Sequence, residues 1–217
     1  PRFAWTRIVE SAELDAALAT AFAKIQTHMP EAEPTVGQGG APWFDVALAE
    51  EAKHVDATNP GSTNTILDYF NATDHGRPNS IVAWCGAFAA HCMKASQDEF
   101  AAASIPTGAA AAANWKQWGA ELSIASGVIP RGAVVVLSPT SETGGTGHVG
   151  FFVEFPDGGK LVKLLGGNQS KKVTKTDFPK AQIASIRWLE LAAAQAGHAN
   201  FNLPAALEPR RNMAELI

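Results

Sequence analysis

The sequence predicts an α+β fold, with helices in the first half of the chain and an antiparallel sheet in the second. Three observations lead to this class. Up to residue 95 the segments between turns carry apolar residues at helical spacing. From residue 133 onward, short β-branched segments alternate with turn residues, which is typical of strands. Between two of these segments, the letters PDGG at 156–159 are a strong signal for a β-hairpin.

The helices can be placed from their caps and apolar stripes. We expect helices at residues 11–28, with Ser11 as the N-cap, at 42–54, with Pro42 in the first turn, and at 62–73. A fourth helix contains both cysteines of the chain. The residues between the first two helices are rich in Pro, Gly and Glu, which predicts a linker.

The predicted strands are short and rich in β-branched residues. They lie at residues 133–137, 148–155, 160–165, 171–176 and 183–188. After the last strand, the chain combines a short helical pattern with a tail that contains Pro and Arg. The order of the elements therefore places one sheet after a group of helices.

The length allows one well-buried core with extensions, or two very small domains. The chain has 217 residues, of which 46% are hydrophobic and 18% are charged. The formal net charge of -4 argues against nucleic acid as a main partner. No apolar run approaches the roughly 18 residues that span a bilayer, so we expect no membrane span. Acidic residues interrupt the first apolar segment, which therefore does not have the pattern of a signal peptide.

One segment differs in charge from the rest of the chain. Residues 160–180 contain six lysines and one aspartate. Lysines at the edge of a sheet hinder pairing with a strand of another chain, and this is the interpretation that we favour. The alternative is a surface that binds an anionic polymer.

The two cysteines, Cys85 and Cys92, differ in their position on the predicted helix. Seven residues of helix separate them by about 10.5 Å, which excludes a disulfide bond between them. Turn residues and a branched apolar segment precede Cys85, so we expect the helix to begin there. A thiol at that position faces unsatisfied N–H groups and the positive end of the helix dipole, which lower its pKa. Cys92 has neither advantage, and we interpret it as a core residue.

A nucleophilic cysteine needs a base, and His148 is the best placed of the six histidines. It follows a glycine-rich loop and begins a predicted strand. His91 lies beside Cys92 and on the opposite side of the helix from Cys85. The other four histidines are expected at helix ends or in polar loops, where we interpret them as solvated.

The predicted hairpin supplies a partner for His148. A three-residue loop at 157–159 places His148 opposite Asn168, and Gly150 opposite Gly166. A two-residue turn would shift this register by one residue. Opposed side chains have Cβ atoms roughly 5 Å apart, which lets His and Asn side chains form a hydrogen bond. The neighbouring glycine pair would leave room for another element to approach the sheet.

Four motifs occur in an order that resembles a known family. They are WCGAF, PRGAVVVL, GHVGF and LLGGNQ. In this order they resemble the CHAP and NlpC-type cysteine peptidases, which are bacterial and phage cell-wall hydrolases with a papain-like fold. The resemblance implies a peptidase or amidase domain at residues 42–188, between an N-terminal helical extension and linker at 1–41 and a C-terminal extension at 189–217. Ala133 departs from the family pattern, which often has Asp at this position.

The resemblance implies catalytic roles for three residues. The nucleophile that opens a helix falls on Cys85, the base on His148, and the polar residue that orients the base on Asn168. An oxyanion would bind the backbone N–H of the nucleophile and, as a second donor, the side chain of Asn79. These residues would hydrolyse an amide through a thioester, a reaction that needs no metal and no other cofactor.

Three residues beside the predicted triad are expected to bind the substrate. They are Trp84, Gly147 and Gln169, each of which adjoins a triad residue in the sequence. By resemblance, the substrate is the peptide part of peptidoglycan, cut within the stem peptide or at the muramoyl–alanine amide.

The expected place of action is the periplasm or the cell wall. The protein could be a phage lysin, a secreted wall-remodelling enzyme or an antibacterial effector, and an effector would have a cognate inhibitor protein as its partner. Since the chain shows no signal peptide, a leader removed before Pro1, injection, or release by a phage would bring it to the wall.

Three alternatives use the same residues differently. A metal site could be built from Cys85, Cys92, His91 and His148, but it lacks the C-x-x-C spacing of structural zinc sites. A cell-wall-binding or phage structural module could keep the fold without activity. An acyltransferase or a transglutaminase-like enzyme could use the same triad.

Overall fold

The computed structural model of the protein describes residues 41–124, 128–140 and 146–189, and the backbone of 35–37. The helix that the sequence predicts at 11–28 lies outside the described residues, as does the C-terminal extension beyond residue 189. The predicted boundaries of the two extensions therefore stay predictions.

The described helices begin close to the predicted residues. They are α1 (Pro42–Ala52), α2 (Thr63–Tyr69), α3 (Cys85–Ala95) and α4 (Glu99–Ala103), with 3₁₀ turns at Pro60–Ser62, Phe70–Ala72 and Ala112–Gln117. The short helix α4 was not predicted; the Asp98 side chain caps it by accepting the Ala101 N–H. None of the helices in the described part of the chain is long and apolar enough to cross a membrane.

The second half of the chain forms a six-stranded sheet of antiparallel pairs, which confirms the predicted α+β class. The strands are β1 (Thr35–Gly37), β2 (Ala120–Glu121), β3 (Val128–Pro130), β4 (Val134–Leu137), β5 (His148–Glu154), β6 (Leu161–Gln169), β7 (Lys172–Pro179) and β8 (Ile183–Trp188). The spatial order of the large sheet is β2-β8-β4-β5-β6-β7, and β1 pairs with β3 in parallel. β1 lies within the predicted linker. Its pairing with a distant segment is not visible in local Pro and Gly content.

The hairpin of β5 and β6 has the register that a three-residue loop predicts. Phe151 pairs with Leu165 and Phe152 pairs with Leu164. The connection contains a 3₁₀ turn at Asp157–Gly159. Closer to the turn the register shifts by one residue, because Glu154 pairs with Lys163 and not with Val162, so the predicted register holds at Phe151 and Phe152 but not beside the turn.

Helix α3 packs on β5 and β6 through a close contact at Gly167. A Cβ atom there would lie 2.5 Å from the Trp84 ring and 2.6 Å from the Phe88 Cβ, so only glycine permits this approach. Phe88 also meets Phe151 of β5, with ring centroids 6.3 Å apart. The sequence predicts the close approach at the pair of Gly150 and Gly166, and the structure has it one residue later, at Gly167. The contact fixes the first turn of α3 against the sheet.

The lysine-rich segment lies at the edge of the sheet. β7 is the outermost strand, and its lysines form ion pairs with residues around the end of α1: Lys172 lies 3.3 Å from Asp56, and Lys175 contacts Glu51. The backbone at the start of β7 is also covered, since Val173 N–H donates to Val55 and Ala57 N–H donates to Lys171.

Candidate active site

Cys85 is the first residue of α3, as the sequence predicts. Trp84 precedes it at the N-cap position and supplies no side-chain cap. The first N–H groups of a helix have no partner within the helix. Here the backbone N–H groups of Cys85 and Gly86 lie near the Cys85 sulfur, together with that of Val149 on β5, and favour its thiolate form.

The direction of the thiol pKa differs from the prediction. Cys85 is only 6% exposed, and burial raises the pKa of its thiol. The N–H groups of Val149, Gly86 and Cys85 act in the opposite direction but do not outweigh burial. The sequence argument considered the helix end and not the burial of the sulfur. The resting thiol is therefore neutral at neutral pH.

Cys85 opens onto a cleft of about 310 Å³. Four consecutive alanines, at residues 110–113, line it together with Phe70, Val82 and Ala83. The polar side chains in the lining, apart from the thiol, are those of His75 and Thr146. A mostly apolar cleft with a few polar groups is typical of a small-molecule or peptide site.

The alanine wall of the cleft is held against the start of α3. A Cβ atom at Gly86 would lie 2.2 Å from the carbonyl oxygen of Ala109, so the two backbones are in close contact. The Trp115 indole N–H donates to the same carbonyl at 2.8 Å. Both oxygens of Asp74 accept the Gly108 N–H, at 3.0 and 2.9 Å. These bonds tie the wall to the helix and to the loop after α2.

His148 begins β5 and is hydrogen-bonded to Gln169. The distance between His148 Nε2 and Gln169 Oε1 is 3.0 Å. The amide nitrogen of Gln169 donates to the carbonyl oxygens of Leu164, at 3.1 Å, and Thr174. Carbonyl oxygens only accept, so the orientation of the Gln169 amide is fixed and His148 must donate from Nε2. Nδ1 is then the unprotonated nitrogen of the neutral ring, which is the form that can act as a base.

The surroundings of His148 keep its imidazole neutral. Burial lowers the pKa of His148 to about 4, and the hydrogen bond that His148 donates to Gln169 opposes this shift without cancelling it. The ring lies beside Phe178, with centroids 5.5 Å apart. A Cβ atom at Gly166 would lie 3.3 Å from His148 Nε2, so a larger residue there would crowd the ring.

The residue that holds His148 is Gln169, whereas the sequence predicts Asn168. Gly166 pairs with Thr174 and Gln169 pairs with Lys172, so β6 has one more residue than β7 in this interval. Such a bulge moves the following side chains to the other face of the strand. Asn168 takes up the extra residue with a φ of 61° and is partly exposed. The register argument failed because it assumed a regular strand.

The thiol and the imidazole lie on different faces of the sheet and do not bond to each other. A Cβ atom at Gly166 would meet the His148 ring, whereas one at Gly167, the next residue of β6, would meet Trp84 and Phe88 beside Cys85. The described residues show no hydrogen bond between the sulfur and the ring. Proton transfer between them therefore requires a rearrangement that brings the ring and the sulfur together, which is more than the tightening of an existing hydrogen bond.

The remaining predicted site residues have other positions. Trp84 is fully buried and packs against Gly167, so it does not reach a substrate. Gly147 is also buried; its φ of 79° makes the turn into β5, which is a backbone role. Asn79 is exposed and is not among the described residues that line the cleft. Gln169, predicted to bind substrate, instead orients His148.

The residues of the alternative metal site are not assembled. Among the described residues, no group of three or more His, Cys, Asp or Glu side chains is placed to hold an ion. His91 faces Glu50, with His91 Nε2 3.5 Å from the carboxylate, and Cys92 is fully buried.

Two features of the site were missed by sequence reasoning. His75 is exposed, as the sequence predicts, but it also lines the cleft, because the fold brings the turn after α2 next to the first residue of α3. The role of Gln169 was missed because of the bulge. A usable signal for the bulge was present, since Gly-Gly-Asn is a sequence that tolerates positive φ angles.

Comparisons with known proteins do not assign the chain to a family. No family model, no curated protein and no solved structure matches this chain. The chain is an α+β protein in which a buried cysteine opens a helix, lines a cleft, and contacts the strand that begins with an oriented histidine.

Proposed function

We propose that the protein is a peptidoglycan hydrolase with a papain-like fold of the CHAP or NlpC type. It would cleave an amide bond of the cell-wall peptide, as an endopeptidase or an N-acetylmuramoyl-alanine amidase. The observation that carries the proposal is the arrangement at the start of α3. Cys85 opens onto a cleft and contacts Val149, and the preceding residue, His148, is held by Gln169 in the tautomer of a base.

The proposed reaction is general-base catalysis from a neutral pair. His148 Nδ1 takes the thiol proton as the Cys85 sulfur attacks the substrate carbonyl carbon. The protonated ring then gives its proton to the leaving amine as the C–N bond breaks, and water hydrolyses the thioester. Gln169 accepts the Nε2–H bond throughout. The N–H of Cys85 is one donor available to the oxyanion.

The choice of peptidoglycan as the substrate rests on the order of the four motifs. The apolar cleft is compatible with a short peptide of small residues. The place of action would be the periplasm or the cell wall, where a lysin, a wall-remodelling enzyme or an injected effector would meet its substrate. An effector would also bind a cognate inhibitor protein.

The proposal is tested with purified peptidoglycan and mass spectrometry of the released fragments. Wild type and Cys92→Ser should release fragments with new amine termini, whereas Cys85→Ser should release none. New cross-links in place of new termini would identify an acyltransferase. Protein bound to an unchanged wall would identify a wall-binding module.

A further inference from the structure

His75 is the residue of the cleft that the proposed mechanism does not use. It lines the same cleft as Cys85, and the rest of the lining is apolar apart from the thiol and Thr146. Its ring lies against the buried Phe70, with centroids 5.5 Å apart. The His75 side chain is exposed to solvent, so a ligand in the cleft can reach its ring and must replace the hydrogen bonds that the ring makes to water.

The hydrogen bond of His75 defines what its ring can offer to a ligand. His75 Nδ1 lies 3.0 Å from the carbonyl oxygen of Gly76. Because a carbonyl oxygen only accepts, Nδ1 carries the proton, and Nε2 of the neutral ring is an acceptor. Among the described residues, Nε2 has no hydrogen-bond partner. The ring therefore presents one free acceptor and matches a donor on the ligand.

The charged neighbours of His75 are already engaged. Asp74 binds the Gly108 N–H with both oxygens, and Arg77 donates to Asp68 and Asn64. The Asp74 bond also fixes the loop that carries His75 to the alanine wall of the cleft. His75 is thus held in place by its ring contact, its own hydrogen bond and its loop.

We infer that His75 is a specificity-determining residue that accepts an amide N–H of a peptide bound in the cleft. The inference rests on the proposed function, since it places a peptide beside Cys85. The ligand class is a short peptide with small side chains, because the alanine wall cannot withdraw from α3. The N–H bond to His75 would align the peptide along the cleft.

The test measures binding of the synthetic stem tetrapeptide of peptidoglycan and of analogues that each carry one N-methyl amide. Calorimetry is done in the Cys85→Ser background, so that nothing is cleaved. In the protein that carries only Cys85→Ser, the analogue methylated at the amide that donates to His75 should bind about five- to tenfold more weakly than the parent peptide. This is the loss expected for one hydrogen bond. With His75→Phe added, which keeps a ring and removes the acceptor, parent and analogue should bind equally. His75→Ala should give the same result, and His54→Asn, outside the cleft, should change nothing.

Three outcomes would overturn the inference. One is that each N-methyl analogue loses as much binding affinity in the protein with His75→Phe as in the protein that retains His75. Another is that the effect of His75→Phe disappears when the carboxylates of the tetrapeptide are converted to amides, because His75 would then bind a carboxylate as a cation. The third is no binding of the tetrapeptide at all. Hydrolysis of whole peptidoglycan by the protein with Cys85 intact separately tests the proposed function.

Discussion

The two ends of helix α3 place a cysteine in opposite environments. At its start, Cys85 lines a cleft, and three backbone N–H groups near its sulfur favour the thiolate form. Two turns later, Cys92 is fully buried near Glu50, whose carboxylate is bonded by Lys53, Tyr69 and His91. The first end has reactive groups and space beside them. The second end has its polar groups bonded to one another.

The surroundings of Cys85 and Cys92 differ in whether their polar groups still have free hydrogen-bonding positions. Burial raises the pKa of Glu50, but the bonds from His91, Lys53 and Tyr69 outweigh it and lower the pKa to about 2. Burial and the charge of Glu50 raise the pKa of Cys92 well above its ordinary value. That network is closed and stabilises the packing of α1, α2 and α3. At the other end, His148 Nδ1 has no bond in the described structure and can take a proton.

The largest expected effect separates the two cysteines by activity. Cys85→Ser should lower peptidoglycan hydrolysis by more than about 10³-fold, because the surroundings of His148 are suited to a thiol and not to a hydroxyl. Cys92→Ser should stay within about twofold of wild type per folded molecule. Fragment release per mole of folded protein checks both. Equal losses in the two variants would remove the distinction between the two ends of α3.

The next effect concerns the residue that orients the base. Gln169→Ala frees the His148 ring and should cost about 10–100-fold in kcat/KM, less than the 10²–10⁴-fold that a positioned base contributes. The matched control is Asn168→Gly, which removes the originally predicted partner and keeps the positive φ without strain. Its kcat/KM should equal that of wild type. If Asn168→Gly fails and Gln169→Ala does not, the bulge is misassigned.

The pH dependence of kcat/KM tests whether the Cys85 thiol and the His148 imidazole react from their neutral forms. Since the pKa of His148 is lowered to about 4, the base stays unprotonated as the pH falls from 7 to 5, and kcat/KM should change little on that account. It should fall about tenfold for each unit below pH 4. Measurement of kcat/KM from pH 3 to 8, with folding monitored by circular dichroism, checks this. An acid limb near pH 6.5 would mean that the imidazole is solvated when it acts.

The sequence predicts the positions that local patterns determine. It places the start of α3 at Cys85, the start of β5 at His148, and the hairpin register at Phe151 and Phe152. Each follows from turn residues or from alternation over a few positions. The choice of Gln169 does not, because a one-residue bulge reverses the faces of β6 without changing its composition.

The sequence also does not predict which distant segments of the chain lie next to each other in the fold. The pairing of β1 with β3 and the cleft between residues 70–83 and 110–113 join segments that are far apart in the chain. His75 gains its position from such a contact. Whether a histidine is solvated or lines a site depends on which loop packs beside it, and a single sequence does not encode that in any local pattern.

A smaller effect tests the closed network at the far end of α3. The folded pKa of Glu50, about 2, lies below its ordinary value of 4.5, so its stabilising contribution is complete above pH 4.5 and is lost as the pH falls toward 2. The contribution is roughly 3 kcal/mol. Urea unfolding of wild type at pH 7 and pH 3 should show much of this loss. Glu50→Gln should remove most of the pH dependence, and Glu99→Gln, at an exposed position, should not.

The smallest effect is the stability cost of altering Cys92 itself. Cys92→Ser places a hydroxyl in a fully buried position and should lower the free energy of unfolding by about 1–3 kcal/mol. Cys92→Ala removes the sulfur without adding a polar group, so its cost should come only from lost contacts and be smaller. Urea unfolding of both variants measures the difference. Iodoacetamide labelling of the folded protein gives the matching chemical test, with reaction at Cys85 and none at Cys92. Labelling of Cys92 in the folded state would mean that this end of α3 opens, and the contrast between a closed network and an open cleft would no longer explain which cysteine reacts.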